Sequence, residues 1–281
     1  MALRLERDAT GIEIRLDGRR VARYVAHPET EAFESPRPYV YPLRTRGGVE
    51  LAGFRPADHT WHHGLSLAIA EAGPANLWGG RSFDRDAHAY LDRGDNGRMT
   101  TTSLDVDGAS GRIHSSLDWT DASGDLLATE ERTLTASEAG EGWLLDWRSV
   151  VSAARPLTLG SPATNGRTGA GYGGVFLRLA PAFLGARADA EEGRETPADD
   201  LLGVRARRLA VTAPDRTATV ALGVPAPAPW FVRSLEYPGF GPAPFFDAET
   251  RLAAGESVEF AVRLVAVDGV PSATQLAAVL G

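Results

Sequence analysis

The chain has 281 residues, a formal net charge of −8 and 43% hydrophobic residues, enough to bury a real core and too apolar for a disordered segment. It has no Cys, which excludes disulfides, thiolate zinc sites and a Cys nucleophile; it also has no Lys, all 29 basic residues being Arg, which excludes Schiff-base lysine chemistry and a P-loop lysine. The acidic balance speaks against nucleic acid and anionic-membrane partners, no apolar run is long enough to cross a bilayer, and "MALRLERDATG" lacks the apolar stretch of a signal peptide, so the expected location is cytoplasmic.

A period of two dominates. "GIEIRLDGRRVARYVA" alternates at Ile12, Ile14 and Leu16, turns at Asp17-Gly18 and resumes, which is a hairpin signal. "RPADHTWHHGLSLAIA", residues 55–70, then places three of the six histidines within five positions, directly before a strand-like apolar run. "SLDVDGASGRIHSSLDWT" repeats the hairpin pattern around Asp107-Gly108. "LLATEERTLTAS", "WLLDWRSVVSA", "GVFLRLA", "RRLAVT" and "ATVALGV" read as further strands, divided by Gly, Pro, Asp and Ser clusters. The acidic stretch 186–200 reads as a solvated loop that could cover a site. "SVEFAVRLVAV" alternates at Val258, Phe260, Val262 and Leu264, and "PSATQLAAVLG" reads as a helix capped by Ser272 or Thr274. Many short strands and almost no helix predict an antiparallel β-sandwich, one domain over 1–281, with a short C-terminal helix.

The histidine cluster is the first candidate site. Pro56 favours a non-helical approach to it. If a strand runs from Trp61, then Trp61, His63, Leu65, Leu67 and Ile69 share one face, and His62, Gly64, Ser66 and Ala68 the other. His62 then looks onto a small-residue concave surface, and His63 points with the bulky apolar set. A slip of one residue exchanges the two, so both are candidate catalytic residues. An imidazole near its ordinary pKa suits proton transfer at neutral pH, and Asp58 could orient one. Such histidines can also be structural, satisfied by hydrogen bonds. A metal site needs about three converging ligands, and His59 with His62 would require another from elsewhere. No metal and no cofactor is therefore expected, and His59 is placed among the substrate-binding candidates.

Other candidates are spread along the chain. Tyr41 and Arg44 lie in "YVYPLRTRGG", and Arg178 follows the glycine-rich "GAGYGG"; a guanidinium can fork to hydroxyls or a carboxylate. Glu131 alternates with Glu130, so one of them faces each side of its sheet. Trp230, Phe231, Tyr237 and Phe240 gather in "PWFVRSLEYPGF", either as a platform for a sugar ring or as core.

"SPRPYVYPLRTRGGVELAGFRPADHTWHHGLSLAI", "TNGRTGAGYGGVFLRLA" and "PWFVRSLEYPGFGPAPFF" together resemble a bacterial family labelled PmoA-like, nearly along the whole chain. With no membrane span and no copper ligand set, the methane-oxygenase label is set aside. The chain reads "GVPAPAPW" where members of that family carry His-Pro, so any role of that His is missing here. More distantly, the layout resembles aldose 1-epimerases of the galactose-mutarotase-like supersandwich. That resemblance implies a catalytic His on an inner strand and a catalytic Glu before a late Pro-Gly-Glu-like turn. Glu236 in "SLEYPGF", ahead of "LAAGESVEF", takes that place, with Ala254 where Pro is usual. It implies a His62–Glu236 acid–base pair acting on a small sugar or sugar derivative, by mutarotation, epimerisation or elimination. The alternatives are a non-catalytic carbohydrate-binding or accessory module, and a His-ligated metal-dependent enzyme.

Overall fold

A computed structural model describes residues 3–191 and 193–280. The hairpin at Asp17-Gly18 forms as expected: strands Gly11–Leu16 and Arg19–Val25 flank two residues with φ of 50° and 80°, the left-handed pair that matches the strand twist. Every strand pair named below is antiparallel. One sheet runs from Leu3–Arg7 through that hairpin to Tyr39–Leu43, Leu65–Ala72, Gly174–Arg178 and Gly239–Pro242. The other runs from Arg187–Asp189 through Arg205–Thr212, Ala218–Arg233, Ser257–Asp268, Gly142–Ala153, Leu126–Ala139 and Arg112–Thr120 to Arg98–Asp107.

Strand Ala218–Arg233 belongs to both sheets. Its first part pairs with Ser257–Asp268 and its last four residues with Gly239–Pro242. The crossing falls at Pro225-Ala226-Pro227, which is exposed; prolines cannot donate ladder hydrogen bonds, so the chain leaves one sheet there and enters the other.

The two sheets bury a continuous core. Leu65, Leu67, Ile69, Val175 and Leu177 from one meet Trp119, Trp143, Leu145, Trp147 and Leu264 from the other. This core holds an ion pair. Arg132 donates to Glu130 at 2.7 and 3.0 Å, Trp119 Nε1 and Ser149 Oγ also donate to Glu130, and the guanidinium lies 4.5 Å over the Trp147 ring. A buried charge pair is tolerable only when saturated in this way. Glu130 thus takes the inner face and Glu131 the outer, as their alternation requires.

A second, smaller cluster lies on the far side of the first sheet: Ala68, Ala70, Trp78, Phe176, Phe231 and Ala243. It forms the floor of the candidate site. The C-terminal helix is Ala273–Leu280, and its cap is Ser272: Gln275 N–H donates to Ser272 Oγ and Ser272 N–H to Gln275 Oε1, a reciprocal capping box. The described residues of the acidic stretch 186–200 hold more regular structure than a solvated loop. They carry the edge strand Arg187–Asp189 and a 3-10 turn at Ala198–Leu201, with Asp199 accepting from Ser234 N–H at 2.9 Å.

Candidate active site

The expected strand from Trp61 begins later, at Leu65. Gly64 has φ of 50°, and a Cβ there would stand 2.2 Å from the carbonyl oxygen of Val40. The left-handed residue breaks the alternation before the strand starts. Leu65, Leu67 and Ile69 enter the core and Ser66 and Ala68 face away, as the period of two predicts, but Trp61 does not join the core face. It lines the cavity beside His62.

Residues 55–62 form a closed loop of two successive turns. His59 N–H donates to Pro56 O at 3.0 Å, His62 N–H to His59 O at 3.0 Å, and Arg55 N–H to His62 O at 2.9 Å. The repeat of three residues puts the imidazoles of His59 and His62 on one side, stacked at 4.6 Å with 19° between planes. Buried Arg37 holds the loop from beneath, donating to Trp61 O at 2.7 Å and Ser66 Oγ at 3.2 Å. Trp61 sits on Gly79-Gly80; both have positive φ, and a Cβ on Gly80 would lie 2.7 Å from the indole.

Above the loop opens a cavity of about 610 Å³, walled by His59, Trp61, His62, Trp78, Tyr172 and Tyr237. Asp58, Glu236 and the arginines 81, 167 and 233 also line it. Apolar ring faces with a few polar groups are the usual make-up of a small-molecule site.

His62 is 2% exposed, ringed by Trp78, Phe176 and Tyr237 at 5.4–5.6 Å. Its Nδ1 lies 3.2 Å from Arg178 Nη1. A guanidinium only donates, so Nδ1 must accept and the proton sits on Nε2. Burial first, then the charges of His59 and Arg178, push the imidazole well below its ordinary pKa. His62 is thus a neutral hydrogen-bond donor rather than an imidazolium acid.

Asp58 and His59 make a different pair. Asp58 Oδ2 lies 2.7 Å from His59 Nδ1, and 3.5 Å from Arg178 Nη2. Burial opposes ionisation of Asp58, but the hydrogen bond from His59 and the charge of Arg178 outweigh it and hold the carboxyl below its usual range. An ionised carboxylate on Nδ1 orients the ring and leaves Nε2 for a proton donor or acceptor role. Arg178 also lies 4.8 Å over the Tyr237 ring, so one guanidinium organises Asp58, His62 and Tyr237 together.

Of the residues singled out from sequence, the structure brings His59, His62, Glu236, Tyr237 and, behind them, Arg178 to one place. Glu236 is exposed. His63 lies outside the cavity: its side chain is fully buried between Tyr39 and Phe54, with Nε2 2.8 Å from Glu34 Oε2. Arg55 saturates that carboxylate, while burial and the charge of Arg37 push His63 down, so a neutral His63 donates its Nε2–H. Trp230 is core, 0% exposed, its Nε1 donating to Ala206 O at 3.0 Å. Tyr41 stacks on Phe54 at 4.8 Å, Arg44 pairs with Glu50 at 3.0 Å, and Glu131 pairs with His114 at 3.0 Å on the outer face. None of these four lines the cavity. Trp61, expected on the core face, does line it, as do Trp78 and Tyr172, which no sequence motif singles out. The Gly79-Gly80 pair that follows Trp78 is the local signal, since these left-handed glycines make room for the Trp61 ring.

His59 and His62 are poorly arranged to share a metal ion. Stacked rings direct their in-plane lone pairs side by side, and each Nδ1 is already engaged, by Asp58 and by Arg178. Among the described residues no group of three or more His, Asp or Glu side chains could hold an ion, and no helix is long and apolar enough to cross a membrane.

The site and fold define an antiparallel β protein with an aromatic, histidine-bearing cavity. The chain belongs to the family of unknown function DUF6807, whose model matches residues 11–280. That description carries no methane-oxygenase assignment. No curated protein matches the chain in sequence. Among solved structures it is similar to galactose 1-epimerase from Lactobacillus acidophilus NCFM, with 9% identity and a TM-score of 0.46, covering 95% of this chain and 98% of that one. It is also similar to a galactose mutarotase related enzyme from Lactobacillus acidophilus, with 9% identity, a TM-score of 0.39 and coverage of 96% and 99%. A third likeness is to heparan sulfate lyase HepC from Pedobacter heparinus, in a mutant form, with 11% identity, a TM-score of 0.40 and coverage of 96% and 36%.

Proposed function

We propose that the cavity binds a sugar or sugar derivative and that the Asp58–His59 pair serves it as an acid–base group. The observation that carries this reading is the 2.7 Å contact of Asp58 with His59 Nδ1 on the wall of an aromatic cavity. Trp61, Trp78 and Tyr237 offer ring faces on which the C–H faces of a pyranose can stack. His62, neutral, donates Nε2–H to a sugar oxygen. In the simplest step His59, as imidazolium paired with Asp58, gives its Nε2 proton to the ring oxygen. The bond between that oxygen and the anomeric carbon breaks, Glu236 takes the proton of the anomeric hydroxyl, and a carbonyl forms. Reclosure on the other face gives the opposite anomer and returns both protons. His59 replaces His62 as the acid because Arg178 occupies His62 Nδ1 and disfavours its charged form.

A non-catalytic sugar-binding module is the second reading, favoured by the locked neutral state of His62. Saturation-transfer NMR over a panel of aldoses, with exchange spectroscopy between their anomers, tests both. Binding with accelerated exchange supports the enzyme, binding alone supports the module, and absence of any sugar contact contradicts both.

A further inference from the structure

Three guanidiniums line the cavity without an acidic partner. Arg81, Arg167 and Arg233 form no ion pair among the described residues, although the chain as a whole carries 37 acidic against 29 basic residues. They come from three separate segments. Arg81 follows the Trp78-Gly79-Gly80 turn, Arg167 sits in the turn after Ser161, and Arg233 ends the strand that crosses between the sheets. Two of them rest on ring faces: Arg167 lies 4.4 Å over Tyr90 and Arg233 5.4 Å over Phe231. Stacking holds the planar group in place and leaves its edge donors open. The two carboxylates of the cavity do not cancel this charge. Asp58 is taken by His59 and Arg178, which leaves Glu236 alone against three cations.

We infer that the ligand of this cavity is a sugar bearing an oxyanion, a carboxylate or a phosphate, held by Arg81, Arg167 and Arg233. This rests on the reading that the cavity takes a sugar. The neutral ring stacks on the tryptophans and meets His59 and His62, while the anionic substituent faces the arginine side. Forked guanidinium donors match both oxyanion types. The overall negative charge of the protein repels anions at long range, so the attraction is local to the cavity and is screened by salt.

The test is calorimetric binding to the full chain with matched probes: glucose, galactose and mannose, their uronates, their 6-phosphates, and inorganic phosphate and acetate alone. At least one charged sugar is expected to bind tenfold or more tightly than its neutral parent, and to lose most of that advantage in 0.5 M NaCl. Uronate against 6-phosphate decides which oxyanion is recognised. The variant R81Q/R167Q/R233Q is expected to erase the difference between charged and neutral members, its melting temperature reporting that it folds. The salt dependence of the wild type is an independent readout. Neutral parents binding as well as their charged forms, with no salt effect, overturn the inference and leave the sugar reading intact. Phosphate or acetate binding with no sugar preferred overturns the sugar reading instead. No binding by any probe overturns both.

Discussion

Replacing Arg178 by Met tests the electrostatic logic of the site without knowledge of the ligand. The guanidinium side chain is only 7% exposed, donates to His62 Nδ1 at 3.2 Å and stacks 4.8 Å over Tyr237. A buried hydrogen bond from a charged group is worth ~1.5–3 kcal/mol, and a cation–π contact adds ~0.5–1. Its ion pair with half-exposed Asp58 adds little. Met keeps most of the stem, so the expected loss is about 2–4 kcal/mol, or roughly 3–7 °C in melting temperature for a chain of this size. The sharper readout is the 15N spectrum of His62. In the wild type it should show a neutral ring protonated on Nε2, with its titration moved well below the ordinary imidazole value by burial and neighbouring charge. In Arg178→Met no cation donates to Nδ1, so the single tautomer is lost and the pKa rises, because the charge of Arg178 is one of the causes depressing it. A wild-type His62 protonated on Nδ1, or titrating near 6.5, would refute the assignment.

Other outcomes follow from the same contacts. His63→Ala should cost about 1–3 kcal/mol by leaving part of Glu34 without its partner, with ligand binding retained, whereas His62→Ala should cost stability and also abolish binding; equal binding in both would contradict the placement. Burial, reinforced by the charge of Glu249, pushes the Glu71 carboxyl from 4.5 up to about 7. A raised folded-state value means stability present at low pH and lost as pH rises through about 7, on the order of 1–2 kcal/mol after solvent screening. Glu71→Gln should therefore raise the melting temperature more at pH 8 than at pH 5, and an equal effect at both would count against it. Both His62 and His63 are depressed, so the folded state resists protonating them while the unfolded chain does not. Stability should then fall below about pH 6.5 by up to ~1.4 kcal/mol per pH unit for each, a slope that chemical denaturation in His62→Ala should reduce. Gly80→Ala forces a Cβ 2.7 Å from the Trp61 ring at a φ of 71°, and should weaken sugar binding along with stability; unaltered binding would mean Trp61 is not part of the platform.

The strands were legible because their signals are local. The alternation in "SVEFAVRLVAV" and the Asp17-Gly18 turn carry their own geometry, and both appear where expected. So does the separation of Leu65, Leu67 and Ile69 from Ser66 and Ala68. What failed depends on contacts distant in sequence. Nothing in "DHTWHHGL" says that Gly64 meets Val40, so the alternation alone extends the strand back to Trp61 and puts that ring on the core face, whereas the strand begins at Leu65. The tautomer of His62 is set by Arg178, 116 residues away, a contact that neither the strand pattern nor the epimerase resemblance carries. The aromatics of "PWFVRSLEYPGF" divide between Trp230 in the core and Tyr237 in the cavity, and only the crossing of strand Ala218–Arg233 between two sheets decides which goes where. The convergence of Arg81, Arg167 and Arg233 is likewise a property of the assembled sheets rather than of any motif.

The most direct test of the central claim is anomer exchange measured by NMR for a sugar that binds, in the wild type and in His59→Gln. Gln keeps a polar side chain of similar size and cannot shuttle a proton. An acid–base group contributes typically ~10²–10⁴ in rate, so exchange should be accelerated in the wild type and fall by that order in His59→Gln, with binding affinity within a few-fold of wild type. Exchange as fast in His59→Gln as in the wild type would contradict it.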